Sequence, residues 1–163
     1  MTLDAASAAT VALIKAICGN NHPKFYQALA DNADINGCNG RGMTPLMWAA
    51  GTSSTFSDEH TRIVLLDKLI ELGALLDLQN DNGASALHYA CATGKLDRVA
   101  SLLYAGADST LRNGNGALAE DNASENILNL FRDYRIAKEQ QALHKCADAP
   151  PEPPESTKVR KSI

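Results

Sequence analysis

Aromatic residues are scarce in this sequence, at 5% of 163 residues. That is thin for a β-sandwich, whose strands favour aromatic and β-branched side chains, and it suits closely packed helices of Ala and Leu. A basic stripe is missing too: 15 Lys and Arg stand against 19 Asp and Glu, for a formal net charge of −4. Nucleic-acid binding draws most of its affinity from phosphate neutralisation, so no nucleic-acid partner is expected. No apolar run approaches the length needed to span a bilayer. Met1 to Gly19 carries Asp4 and lacks a basic segment followed by an apolar one, so it does not read as a signal peptide. The expected location is therefore cytoplasmic, with no membrane partner. The four cysteines, Cys18, Cys38, Cys91 and Cys146, lie far apart in sequence and read as free thiols, neither a metal knuckle nor a disulfide pair.

Catalytic signatures are equally missing. No carboxylate pair, nucleophile elbow or phosphate-binding glycine loop stands out. Asn113-Gly114-Asn115-Gly116 has the glycines of such a loop without the Lys-Ser or Lys-Thr that follows it, and reads as a hairpin turn. No catalytic residue, metal or cofactor is expected, and the chain is not read as an enzyme.

What the sequence does contain is a repeat. Gly42-Met43-Thr44-Pro45-Leu46-Met47-Trp48-Ala49-Ala50 recurs as Gly83-Ala84-Ser85-Ala86-Leu87-His88-Tyr89-Ala90-Cys91, with a weaker echo from Gly116 to Ala123. A second marker, Leu69-Ile70-Glu71-Leu72-Gly73-Ala74, returns as Leu102-Leu103-Tyr104-Ala105-Gly106-Ala107, with an earlier copy at Ala28 to Asn36. Both markers give the same spacings, 33 residues at the later interval and 41 at the earlier one. The common period is therefore 33, with one insertion of eight residues in the second repeat. Self-similarity at this period is the mark of a solenoid.

Each unit reads as two antiparallel helices and a turn. Thr44 is an N-cap with Pro45 at the first helical position, and Ser85 is the corresponding cap one repeat on. The small pairs Ala49-Ala50 and Ala90-Cys91 let the first helix approach its neighbours. The second helices supply larger core residues at helical spacing: Ile63, Leu65, Leu66, Leu69 and Ile70, then Leu96, Val99, Leu102 and Leu103. Gly73 and Gly106 end them.

Gly42 to Ala50 resembles the Gly-x-Thr-Pro-Leu-His-x-Ala-Ala opening of the ankyrin-repeat family, and Leu102 to Asp108 is similar to its Leu-Leu-x-x-Gly-Ala-Asp ending. The resemblance covers roughly residues 5 to 135. It implies an all-α solenoid of about four helix-turn-helix units joined by short β-hairpin turns. The repeats fall at about 5–38, 39–79 (with the insertion), 80–112 and 113–146, the last as a cap, within a domain of residues 1–146. The first unit has Val11-Ala12-Leu13 where the Thr-Pro opening belongs. The last has Leu118 for Thr and Glu120 for the buried Leu, as suits end units with a face in water.

The resemblance further implies a partner protein bound through hairpin tips and the concave face of the first helices. Carried over, the binding positions are Asn39, Gly40, Arg41 and Met43, then Asn80, Asp81, Asn82 and Ala84, then Arg112, Asn113 and Asn115, with Gly51, Thr52, Ala92 and Thr93 at helix ends. Arg41 and Met43 lead, because Arg is enriched at hot spots and Met adapts to varied apolar partners. His88 stands at the family's histidine position, which ties the turn to the next repeat. Trp48 falls where the resemblance puts a buried Leu, and is expected in the core. The implied role is an adaptor or scaffold, the alternative a stoichiometric inhibitor of an enzyme; the chain is expected to be a monomer.

Two segments break the pattern. Thr52 to Phe56 is a poor helix former, and Ser57-Asp58-Glu59 suits the start of the second helix near Asp58. Phe56 then sits on a loop tip, as a plug on that helix or as a partner-binding knob. Leu128 to about His144 reads as one helix with Leu130, Phe131 and Tyr134 inward. Residues 147–163, with Pro150-Pro151-Glu152-Pro153-Pro154, cannot bury enough apolar surface to fold and are expected to be disordered.

Overall fold

The computed structural model describes residues 5–51, 59–121 and 123–147. They hold seven helices: α1 (Ala5–Cys18), α2 (His22–Ala30), α3 (Pro45–Gly51), α4 (Glu59–Glu71), α5 (Ala86–Thr93), α6 (Leu96–Tyr104) and α7 (Glu125–Ala147). The first six form three antiparallel pairs. α1, α3 and α5 pack side by side as an inner layer, α4 and α6 touch in the outer layer, and α7 covers α6. Among the described residues there is no sheet, only one isolated antiparallel bridge between Arg112 and Leu118. Thr52 and Phe56 lie outside the described residues, as do the rest of the insertion up to Asp58 and residues 148–163.

Local sequence accounts for most helix boundaries. The Thr44 hydroxyl accepts from the Met47 amide at 3.2 Å, and Pro45 opens α3. Ser85 and His88 form a reciprocal capping box on α5. Each second helix closes with the same left-handed residue, Asn32 (φ 60°), Gly73 (φ 85°) or Gly106 (φ 100°). The amides of Ala33, Ala74 and Ala107 then reach back five residues to Ala28, Leu69 and Leu102, each at 3.0 Å. Asn32 can stand in for glycine because its short polar side chain tolerates this conformation.

The core is one continuous cluster. Leu13, Ile17 and Phe25 fill the first pair, Leu46, Leu65, Leu66 and Leu69 the second, and Leu87, Val99, Leu102 and Leu103 the third. Leu96, expected in this core, is 42% exposed, whereas Arg98 on the same helix is fully buried. The Arg98 Nη1 donates to the carbonyls of Ala50 (3.0 Å) and Ala49 (3.3 Å) in the last turn of α3. One repeat earlier, buried Arg62 does the same with Cys18, the last residue of α1, at 3.4 Å. A cation at a helix C-terminus answers both the unpaired carbonyls and the negative end of the helix dipole. α4 and α6 thus each hold the inner helix of the preceding repeat.

The fourth unit departs from a helix pair. Its first helix is replaced by a turn, in which the Leu118 amide donates to Asp121 Oδ2 at 2.8 Å. The cause is Glu120, which stands where the earlier repeats have buried Leu46 and Leu87. A carboxylate cannot take that place unpaired, and Glu120 instead meets Arg135 at 2.9 Å near the surface. α7 begins at Glu125, three residues before the expected start at Leu128, and places Ile127 and Phe131 in the core. Leu130 and Tyr134 pack against it only in part.

Candidate functional site

The hairpins that join the repeats are built on one device. Asn39 Oδ1 accepts from the amides of Arg41 and Met43. Asn80 Oδ1 accepts from Asn82 and Ala84, and Asn113 Oδ1 from Asn115 and Ala117. All of these lie between 2.9 and 3.1 Å. In each hairpin the amide of that Asn also bonds back across the turn, to Met43, Ala84 or Ala117. A side-chain carbonyl that satisfies two turn amides fixes the loop without help from a strand ladder.

Successive hairpins are then tied together. The Asp81 amide donates to the Arg41 carbonyl at 3.3 Å, and the Gly114 amide to the Asn82 carbonyl at 2.7 Å. Gly83 has no room for a side chain: a Cβ there would lie 2.6 Å from the Gly114 nitrogen, and its φ is +69°. At the feet of the hairpins, Asn36 Oδ1 accepts from the Leu75 amide and Asp77 Oδ1 from the Asp108 amide, both at 2.8 Å. His88 completes the third tie. Its Nδ1 faces the Ser85 amide and hydroxyl, and its Nε2 meets the Ala117 carbonyl at 3.2 Å. Because a carbonyl only accepts, the ring proton sits on Nε2.

Between these hairpins and the inner helices lie three hollows, one per junction. The first, of about 220 Å³, is bounded by Thr10, Ile14 and Cys38. The second, the largest of the three at about 380 Å³, is lined by half-buried Trp48, Tyr89 and Met43, by buried Asn80 and by exposed Arg41, Asp81 and Asn82. The third, of about 210 Å³, is shared by Asn82, His88, Tyr89 and Asn113. Tyr89 and Asn82 line both the second and the third.

Of the residues expected at a binding surface, Arg41, Met43, Asp81 and Asn82 come together around the second hollow, and Asn82 and Ala84 around the third. Gly40, Arg112 and Asn115 are exposed on the hairpins. Arg112 Nη1 donates to the Gly116 carbonyl within its own hairpin. Asn39 is half-buried with its carbonyl committed to the turn. Thr93 is directed into the helix layer, where its hydroxyl donates to Ala90.

Trp48, expected in the core, packs on it with one part and lines the second hollow with another. The repeat register explains why. Trp48 and Tyr89 occupy the same position of the nine-residue opening, between the Leu-Met or Leu-His pair and the small pair, and that position faces the hairpins. Tyr89 was missed for the same reason, and aligning the two openings finds it. The Tyr89 ring lies against Gly51 at the end of α3, where a Cβ would stand 2.8 Å from its Cδ1. Its hydroxyl accepts from Asn80 Nδ2 at 2.7 Å, and the same Nδ2 approaches Met43 Sδ at 3.2 Å.

No three His, Cys, Asp or Glu side chains among the described residues could hold a metal ion, and no described helix is long and apolar enough to cross a membrane. The Cys91 thiol is pushed up to about 12, chiefly by burial and then by Glu120, and burial raises Cys18 against the opposing pull of Arg62. A thiol so protonated is a poor nucleophile.

Residues 82–114 match the family described as Ankyrin repeat, a stretch that runs from the tip of one hairpin to the next. No curated protein matches the chain. The matched repeat, set in an all-α stack of hairpin-linked helix pairs, supports an ankyrin-repeat assignment. Ankyrin repeats are in general protein–protein interaction modules.

Proposed function

We propose that this chain is a non-catalytic protein-binding module that holds its partner between the hairpin tips and the inner helices, with the second hollow as its centre. The observation that carries this reading is the trough itself. Two large aromatic side chains and a thioether stand half-open beside unpaired polar groups, on a surface whose backbone is fixed by the asparagine turns. Rigid aromatic side chains at low conformational cost are what binding hot spots are made of. An adaptor or scaffold in the cytoplasm, monomeric and without nucleic-acid or membrane ligands, is the role that fits best. A stoichiometric inhibitor of an enzyme is the second reading, favoured by the compactness of the described stack.

The test is capture of partner proteins from the native cell by the full chain and by the Arg41→Glu, Met43→Ala double variant. Exposed hairpin changes seldom move stability by more than about 0.5 kcal/mol, so the variant is expected to keep its helical circular dichroism signal and melting midpoint. It is expected to lose the proteins that the parent retains. Full retention by the variant would move the binding surface elsewhere. Removing residues 148–163 then separates the roles: an adaptor needs the tail to bridge two partners, and an inhibitor does not.

A further inference from the structure

The second hollow offers hydrogen-bond donors in excess of acceptors, next to an apolar slot. The Asn80 side chain is fully occupied inside the protein, with Oδ1 taken by two turn amides and Nδ2 by Tyr89 and Met43. It therefore positions Tyr89 without reading a ligand. Because Tyr89 Oη accepts from Asn80, its own proton is left to be donated away from Asn80. The Arg41 side chain is exposed and makes no hydrogen bond or ion pair with any described residue; the Arg41 bonds in the hairpin all come from its backbone. Its five N–H groups suit a carboxylate in a planar, two-point contact. Asp81 is the opposing charge, seated over Gly42, where a Cβ would come within 2.9 Å of its Oδ1. Its presence disfavours a ligand with a run of negative charges such as a nucleic-acid backbone, and leaves room for one. Along the three hairpins the charged side chains are Arg41, Asp81 and Arg112, a small positive balance on a chain of net charge −4.

The geometry points to a partner segment that inserts one large apolar side chain between Trp48 and Tyr89 and sets an adjacent Asp or Glu carboxylate against Arg41 and the Tyr89 hydroxyl. This rests on the binding surface proposed above and gives it a ligand chemistry. A cation between the two aromatic rings is the competing arrangement, and the guanidinium of Arg41 at the same hollow repels it.

The chain has a single Trp, so tryptophan emission reports on this hollow directly. A random peptide library displayed on phage is panned against the full chain, and the enriched peptides, synthesised, are titrated while Trp48 fluorescence is followed. The expected pool carries Asp or Glu within two residues of Leu, Ile, Met or an aromatic residue, and shifts Trp48 emission to saturation. Arg41→Glu is expected to weaken these peptides on the order of ten-fold or more and, when panned itself, to select Lys or Arg at the acidic position. Tyr89→Phe, which keeps the ring and removes the hydroxyl, is expected to weaken them by a smaller factor. Peptides that move Trp48 emission but carry Lys or Arg, or no charge, beside the anchor would overturn this chemistry and leave the binding surface standing. Peptides that leave Trp48 emission unchanged and bind Arg41→Glu as tightly as the parent would overturn the surface as well. A pool without enrichment overturns the acidic–apolar ligand.

Discussion

Asn80→Ala tests whether the second hairpin is held more firmly than the first. Asn39 and Asn80 make the same two bonds to turn amides, at 3.0 and 3.1 Å in the first hairpin and 3.0 and 3.0 Å in the second. Only Asn80 is buried, and only Asn80 adds the Nδ2 contacts to Tyr89 Oη and Met43 Sδ. A net hydrogen bond contributes about 1 kcal/mol, and a bond to sulfur less. Asn39→Ala should then cost about 1–2 kcal/mol and Asn80→Ala about 2–4 kcal/mol, the upper end reduced because Tyr89 Oη can turn to water in the hollow. For a domain of this size each kcal/mol moves Tm by about 3–4 °C, so the two variants should separate clearly in a calorimetric or circular dichroism melt. Asn80→Asp keeps an acceptor for both amides and lets the Tyr89 hydroxyl donate, and is expected to fall between parent and Asn80→Ala. Equal losses from Asn39→Ala and Asn80→Ala would refute the reasoning, because the contacts to Tyr89 and Met43 would then contribute nothing.

Gly83→Ala should cost well over the roughly 1 kcal/mol of placing a side chain at positive φ, since its Cβ also meets backbone of the next hairpin. Gly116→Ala, at φ +78° with open space around it, should cost only that conformational amount; equal denaturant midpoints for the two would rule out close hairpin stacking. Arg98→Leu, which installs the residue that the second repeat has at the same place (Leu65), is expected to lose about 1–3 kcal/mol by freeing the Ala49 and Ala50 carbonyls. An unchanged urea midpoint would show that α3 needs no cap. The raised Cys91 thiol binds its proton more tightly folded than unfolded, so its contribution to stability is complete below about pH 9 and is lost as pH rises toward about 12. Cys91→Ala is expected to flatten the fall in stability across that window, and a thiol reagent should label exposed Cys38 in the folded protein and Cys91 only on unfolding; rapid labelling of folded Cys91 would contradict its burial.

Local chemistry decided most of the architecture. The period, the Thr44 and Ser85 caps, Gly73 and Gly106 after α4 and α6, and the Asn-Gly turn at 113–116 act within a few residues of themselves, so they could be read from order alone. So could the polar end unit, although not its form: Glu120 signals that a buried Leu is missing, but only packing shows that the inner helix gives way to a turn. Arg98 was illegible for a related reason. Its place in the core depends on two carbonyls 48 and 49 residues earlier, and nothing near it in sequence differs from a surface arginine, while Leu96 looks like a core residue on the same helix. The binding surface divides in the same way. The hairpin tips followed from the repeat, but the pairing of Trp48 with Tyr89 across a junction, and the Asn80 side chain that locks Tyr89 in place, exist only when two repeats stack. A side chain's neighbour within a repeat is set by the chain, and its neighbour across repeats by the packing of helices.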